Sequence, residues 1–165
     1  MESQILTGKR ILIVDDEPDI LETLEEMLDQ CLIDQATHFA EAKKLLHKNV
    51  YDAAIFDIMG VQGYDLLEIA NQKEIPALML TAHALSGDDL VKSIKGGAHV
   101  YVPKEKIARI PVFLADILAS REEGLRRDEK WYTRLKPYFD RKFGSDWQEK
   151  YKAFWNGFSA PKPGE

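Results

Sequence analysis

Four short apolar runs in this chain each end on a polar side chain, and that arrangement constrains the fold more than any other feature. Asp15 and Asp16 follow residues 11–14, Asp57 follows 53–56, Thr81 follows 78–80, and Lys104 follows 100–103. The intervening stretches carry apolar residues at helical spacing, as in Ile20, Leu21, Leu24, Met27 and Leu28. Strands that alternate with helices pair in parallel, because each parallel pairing needs a crossover. The carboxyl ends of such strands lie along one edge of the sheet, where side chains from separate runs meet. Three carboxylates, a hydroxyl and an ammonium on one edge are the parts of a phosphoryl-accepting metal site.

A pass along the chain extends this pattern. Residues 10–14 form a β-branched strand, and Pro18 stands at a favourable helix start. A weak strand near 35–38 and a helix from Phe39 to about Lys48 come next. The most apolar strand, 51–56, leads through a loop bearing Gly60 and Gly63 into a helix that ends near Pro76. Residues 77–80 form a strand, 88–95 a helix closed by Gly96 and Gly97, 99–102 a fifth strand, and a last helix starts near Pro111. Five strands with five helices make a doubly wound α/β fold.

Charge divides the chain in two. Residues 1–120 hold 11 basic against 20 acidic residues, a balance of −9, while residues 121–165 hold 11 against 8, a balance of +3. Ten of the sixteen aromatic residues, including all three Trp, lie in that second part, so it is not composed like a disordered linker. The expected organisation is a domain over 8–120 and an amphipathic, aromatic-rich helical extension over 121–165. No apolar run approaches the roughly 20 residues that span a bilayer, and no signal-peptide pattern is present, so the expectation is a cytoplasmic protein with no membrane partner. The single cysteine, Cys31, excludes an intrachain disulfide.

The chemistry of the edge follows from its donors. Adjacent carboxylates at Asp15 and Asp16 raise each other's pKa unless a cation neutralises them, and all-oxygen donors select a hard ion such as Mg2+. Asp57 adds a third carboxylate from the neighbouring strand. A carboxylate attacks a phosphoryl group readily only when a metal and a cation offset the gathered negative charge, roles open to Mg2+ and Lys104. Thr81 can hydrogen-bond a phosphoryl oxygen once one is installed, which suits a switch.

The segments ILIVDDEPDI, AAIFDIM, LMLTAHA and AHVYVPKE, in this order and spacing, resemble the receiver domain of two-component response regulators over about residues 8–120. The resemblance implies a flavodoxin-like (βα)5 sheet of order 2-1-3-4-5, with Asp57 as the acceptor phosphorylated by a sensor histidine kinase or phosphotransfer protein. It also implies Mg2+ held directly by Asp16, Asp57 and the Met59 carbonyl, with Asp15 acting through water. Thr81 and Tyr101 become the switch residues, Lys104 the phosphate-binding cation, and Met59 and His83 the positions that tune dephosphorylation. A methionine there cannot orient water, so slow loss of the phosphoryl group is the expectation.

Two departures stand out. Val61 occupies the family's proline position, and Gly63 comes two residues early, so the loop after Asp57 is short. Glu105 follows Lys104 where the family has proline, and a cis bond before a non-proline costs about 2.5–4 kcal/mol, so none is expected there.

Simpler readings compete residue by residue. Asp15 and Asp16 could cap a helix, Thr81 and Lys104 could be a cap and a solvated charge, and Tyr101 could be core. Only their joint placement raises them. His38, His47, His83 and His99 have no metal-ligand spacing. In the extension, Trp131, Leu135, Phe139 and Phe143 recur every fourth residue, Gly144 reads as a stop, and Ser145 with Gln148 resembles a capping box before Trp147, Tyr151, Trp155 and Phe158. These stripes pack internally or on the domain, or else form a homodimer or output-protein surface. The extension's basic residues interleave with acids, so nucleic acid is not the expected partner. An aspartate-nucleophile phosphohydrolase is the rival function, but such enzymes carry an acid two residues after the nucleophile, and that position is Met59. A receiver whose short loop prevents phosphorylation, acting as an adaptor, is the third reading.

Overall fold

The computed structural model describes residues 2–81, 87–122, 130–144 and 146–150. Five parallel strands, β1 (Arg10–Val14), β2 (Leu32–Ala36), β3 (Ala53–Asp57), β4 (Ala77–Thr81) and β5 (Val100–Pro103), form one sheet in the order β2-β1-β3-β4-β5. Strands β3 and β5 are buried along their whole length, and β1 and β4 nearly so, as strands covered on both faces must be. The exception is edge strand β2, whose sequence LIDQA is half exposed. Its weak apolar signal explains why the sequence pattern sets the strand at 35–38, whereas pairing of Arg10 with Leu32 through Val14 with Ala36 starts it earlier. Sheet register overrides local propensity there.

The helices are α1 (Glu2–Leu6), α2 (Pro18–Met27), α3 (Phe39–Lys48), α4 (Gly63–Gln72), α5 (Gly87–Lys95), α6 (Ile110–Glu122), α7 (Lys130–Phe143) and α8 (Trp147–Lys150), with a 3-10 helix over Lys104–Arg109. Pro18 opens α2 as anticipated, and His38 caps α3 by accepting from the Glu41 backbone N–H. Right-handed crossovers put α3, α4 and α5 on one face and α2 on the other. Helix α1 was not read from the sequence, since five residues carry too little periodicity. It packs on α6 and buries Leu6 completely. One core runs through the sheet and takes in Leu135, Tyr138, Phe139 and Trp147 of the C-terminal extension. Leu135 and Phe139 of the α7 stripe therefore lie in this core, with α7 against β5 and α6 of its own chain, while the side chain of Trp131 lies outside the described residues. Gly144, at φ +91°, stops α7 as its position suggested. Ser145, His83 and residues 151–165 lie outside the described residues.

Candidate phosphoacceptor and metal site

The sheet order puts β1 between β2 and β3, so the connections leaving β1 and β3 diverge to opposite faces and open a crevice at their carboxyl ends. Asp15 follows the last residue of β1 and Asp57 ends β3; the two strands pair from Ile11 with Ala53 to Val14 with Phe56. Register carries the edge onward, with Asp57 beside Leu80 and Thr81 beside Pro103, the residue before Lys104. Four strands thus deliver the residues that the sequence singled out to one rim.

Lys104 is the hub of the site. Its Nζ lies 2.9 Å from Asp15 Oδ2, 3.5 Å from Asp57 Oδ1 and 3.6 Å from Glu17 Oε1. Asp15 is 1% and Asp57 4% exposed. Burial raises the pKa of Asp57 to about 7, and the neighbouring Asp15 charge adds to the effect while Lys104 only partly offsets it. Burial likewise pushes Asp15 above the usual carboxylate range, against the opposing hydrogen bonds from Lys104 and from the Glu17 backbone N–H, which donates to Asp15 Oδ1 at 2.9 Å. Burial also works against the Lys104 charge, but the surrounding carboxylates outweigh it and hold the ammonium above its ordinary value.

The rim therefore holds more negative charge than one ammonium can balance. The carboxylate oxygens of Asp15, Asp16 and Glu17 come within 4.8 Å of one another. Such an all-oxygen donor set suits a hard divalent cation, and Asp57, sharing Lys104 with Asp15, adjoins it. Glu17 is the residue that sequence reasoning passed over. It was visible only as the third acid of the DDE run, and nothing in the spacing says that its side chain turns back toward Lys104. Asp16 is exposed, and its carboxylate fits against the loop after β3 only because residue 60 is glycine: a Cβ there would lie 2.4 Å from Asp16 Oδ2, and its φ of +83° also favours glycine.

The short loop closes through a second glycine. A Cβ on Gly63 would stand 2.2 Å from the Asp57 carbonyl oxygen, and the Gly63 N–H donates to Ile58 O at 3.2 Å. Moving glycine forward to position 63 lets α4 begin directly against Asp57. The turn costs strain at Gln62, held at φ 55°. Met59 projects from this turn with a side chain 67% exposed, and Val61 is buried in the core. All peptide bonds among the described residues are trans, Lys104–Glu105 included.

Tyr101 of β5 is completely buried, and its hydroxyl has no hydrogen-bond partner among the described residues. Its ring lies 6.3 Å from that of Phe139 on α7. Burial drives its pKa far upward. The structure thus places Tyr101 next to the extension and away from solvent, while Thr81, half-buried, stays on the rim.

The sheet order, the acid crevice and the strand-end lysine define a receiver-type signalling fold. The response regulator receiver domain pattern matches residues 11–111, and the chain belongs to that family. It is 33% identical over 137 residues to the two-component response regulator ARR18 of Arabidopsis thaliana, covering 79% of this chain and 20% of that protein. It is 33% identical over 105 residues to the response regulator protein PilR of Pseudomonas aeruginosa, covering 60% and 23% respectively. The chain thus spans about a fifth of the length of these two relatives. Among solved structures, the CheY-like receiver domain protein of Methanospirillum hungatei superposes with a TM-score of 0.66 at 25% identity, over 72% of this chain and 99% of that one. A response regulator of Burkholderia pseudomallei bearing a phosphorylated aspartic acid and a calcium ion superposes with a TM-score of 0.56 at 25% identity, over 70% and 73%.

Proposed function

We propose that this receiver is a stoichiometric phosphoryl acceptor and signalling switch, modified on Asp57 by a sensor histidine kinase or phosphotransfer protein and acting through protein contacts. The observation that carries the reading is the pairing of buried Asp57 and Asp15 on one ammonium, beside a carboxylate cluster that exceeds it in charge. Asp16 and Asp15, with Asp57 and Glu17 close by, would hold Mg2+, whose chemistry there is to neutralise phosphoryl oxygens as negative charge gathers. An Asp57 carboxylate oxygen forms a bond to phosphorus as the phosphorus–nitrogen bond of a phosphohistidine breaks; the electron pair stays on the imidazole, which takes up a proton. Lys104 holds the charge on the acceptor side, and Thr81 stands where a hydroxyl can bond a phosphoryl oxygen. The phosphorylated relative from Burkholderia pseudomallei supports the acceptor role by its likeness.

A cytoplasmic setting fits this role, and no helix among the described residues is long and apolar enough to cross a membrane. The exposed Met59 side chain offers no polar atom to position an attacking water, which supports a phosphoryl group that is lost slowly rather than phosphatase turnover. The test is intact mass after incubation with acetyl phosphate and Mg2+. One phosphate per chain is expected, absent from Asp57→Ala and without Mg2+. A folded, Mg2+-binding protein that takes up no phosphate would instead be a phosphorylation-independent adaptor, and sustained phosphate release from small phosphomonoesters would make it a hydrolase.

A further inference from the structure

We propose that α7 is an intrachain latch on the segment carrying Lys104, docked while Asp57 is unmodified and released when it is phosphorylated; this rests on the acceptor role of Asp57. The latch is built on the residue next to the site's cation. Glu105 accepts a hydrogen bond from the Tyr138 hydroxyl and pairs with Lys142 Nζ at 3.4 Å, both from α7. Lys106 Nζ stands 5.3 Å from the Tyr138 ring centroid on the same turn. Beneath these contacts Phe139, completely buried, lies against Tyr101 and stacks on Phe143 at 5.6 Å. The same 3-10 helix thus opens with the ammonium that Asp57 shares and continues with the carboxylate that α7 grips.

Phosphorylation alters the first of these. It replaces the single carboxylate charge of Asp57 with a phosphoryl group that carries about −1.5 to −2 and three acceptor oxygens, which draws Lys104 away from its present pairing with Asp15. The segment it belongs to is interrupted two residues on, where Lys106 departs from helical geometry at φ −105°, ψ 20°. Two features bias that movement toward release. The docked state leaves the buried Tyr101 hydroxyl without a hydrogen-bond partner among the described residues, an arrangement that disfavours it, and the Phe139 ring of α7 lies 6.3 Å from the Tyr101 ring. Helix α7 also carries Pro137 in its interior, which removes a backbone hydrogen bond, so the helix depends on its docked face for support. Release therefore frees an aromatic face and loosens the helix together.

The test is hydrogen exchange by mass spectrometry on the full chain with Mg2+, with and without acetyl phosphate, intact mass confirming the adduct. Exchange in peptides covering 130–143 should rise by about fivefold on phosphorylation while β1 and β3 stay protected. Coupling between sites is reciprocal, so Glu105→Gln and Tyr138→Phe, which weaken the polar grip of α7 on Glu105 and leave the apolar packing in place, should raise α7 exchange without a donor. They should also raise affinity for the phosphoryl mimic beryllofluoride by a similar factor. An adduct with unchanged or reduced α7 exchange overturns the latch alone, as do variants that loosen α7 with no gain in beryllofluoride affinity. A folded protein that forms no adduct overturns the acceptor reading and the latch with it.

Discussion

The acidic rim and the docked face of α7 meet at Lys104–Glu105, yet they are held together by opposite physics. At the rim, three buried or clustered carboxylates share one ammonium, and burial raises Asp57 and Asp15 against their own ionisation. On the α7 face the main contacts are apolar: Leu135, Tyr138 and Phe139 are buried, and the ion pairs, such as Arg134 with Asp116 at 3.0 Å, lie at its margin. The rim is a place where folding tolerates unbalanced charge, a condition expected of a site that awaits a ligand. The α7 face is a place where folding gains from packing, which is how an extension is tied to a domain. A sequence change should therefore act in different currencies on the two sides.

Lys104→Met breaks the rim most severely, because it strands Asp15 and Asp57 in a buried site without a cation. A loss of about 3–5 kcal/mol in urea unfolding without metal is expected, partly restored by Mg2+. No such loss would show that the carboxylates are better solvated than their burial implies. On the other side, Phe139→Ala should cost about 3 kcal/mol through a cavity against Tyr101, and this loss should not respond to Mg2+. A Mg2+-dependent loss would show that the rim and the α7 face are not separate in their energetics.

Asp57→Asn sharpens the contrast through pH. With a folded-state pKa of about 7 against an ordinary 3.8, ionising Asp57 penalises the metal-free fold, so the penalty is absent below about pH 4, grows between pH 4 and 7 and is constant above. The variant should thus be more stable than the parent by roughly 2 kcal/mol at pH 8, allowing for solvent screening, with the gain vanishing near pH 4 and shrinking in saturating Mg2+. Thermal melts across that range check it, and a gain that rises toward acid would reverse the sign. Arg134→Met should do least, under about 1 kcal/mol and salt-dependent, because its partnership with Asp116 is partly exposed.

Much of the rim was legible because strand ends announce themselves: apolar runs stop at Asp15, Asp57, Thr81 and Lys104, and parallel topology leaves one edge for them to share. The boundaries of β2 were not legible, since an edge strand needs little apolar alternation and takes its register from β1. Helix α1 is too short to show a period. Glu17 was hidden for another reason, as its role depends on how a side chain folds back on Lys104. The short loop after Asp57 was visible as a departure, while its solution, α4 starting at Gly63 against the Asp57 carbonyl, required coordinates.

The amino-acid order by itself determined the alternation of strands and helices, the receiver family, the residues of the acidic rim and the amphipathic stripe on α7, because these depend on periodicity and on chain connectivity. Tertiary structure alone decided that Lys104 bridges Asp15 and Asp57, that Glu17 joins them, and that α7 lies on Tyr101 and Glu105. Those are contacts between residues tens of positions apart, and a linear pattern states which face of a helix is apolar but not which surface will cover it.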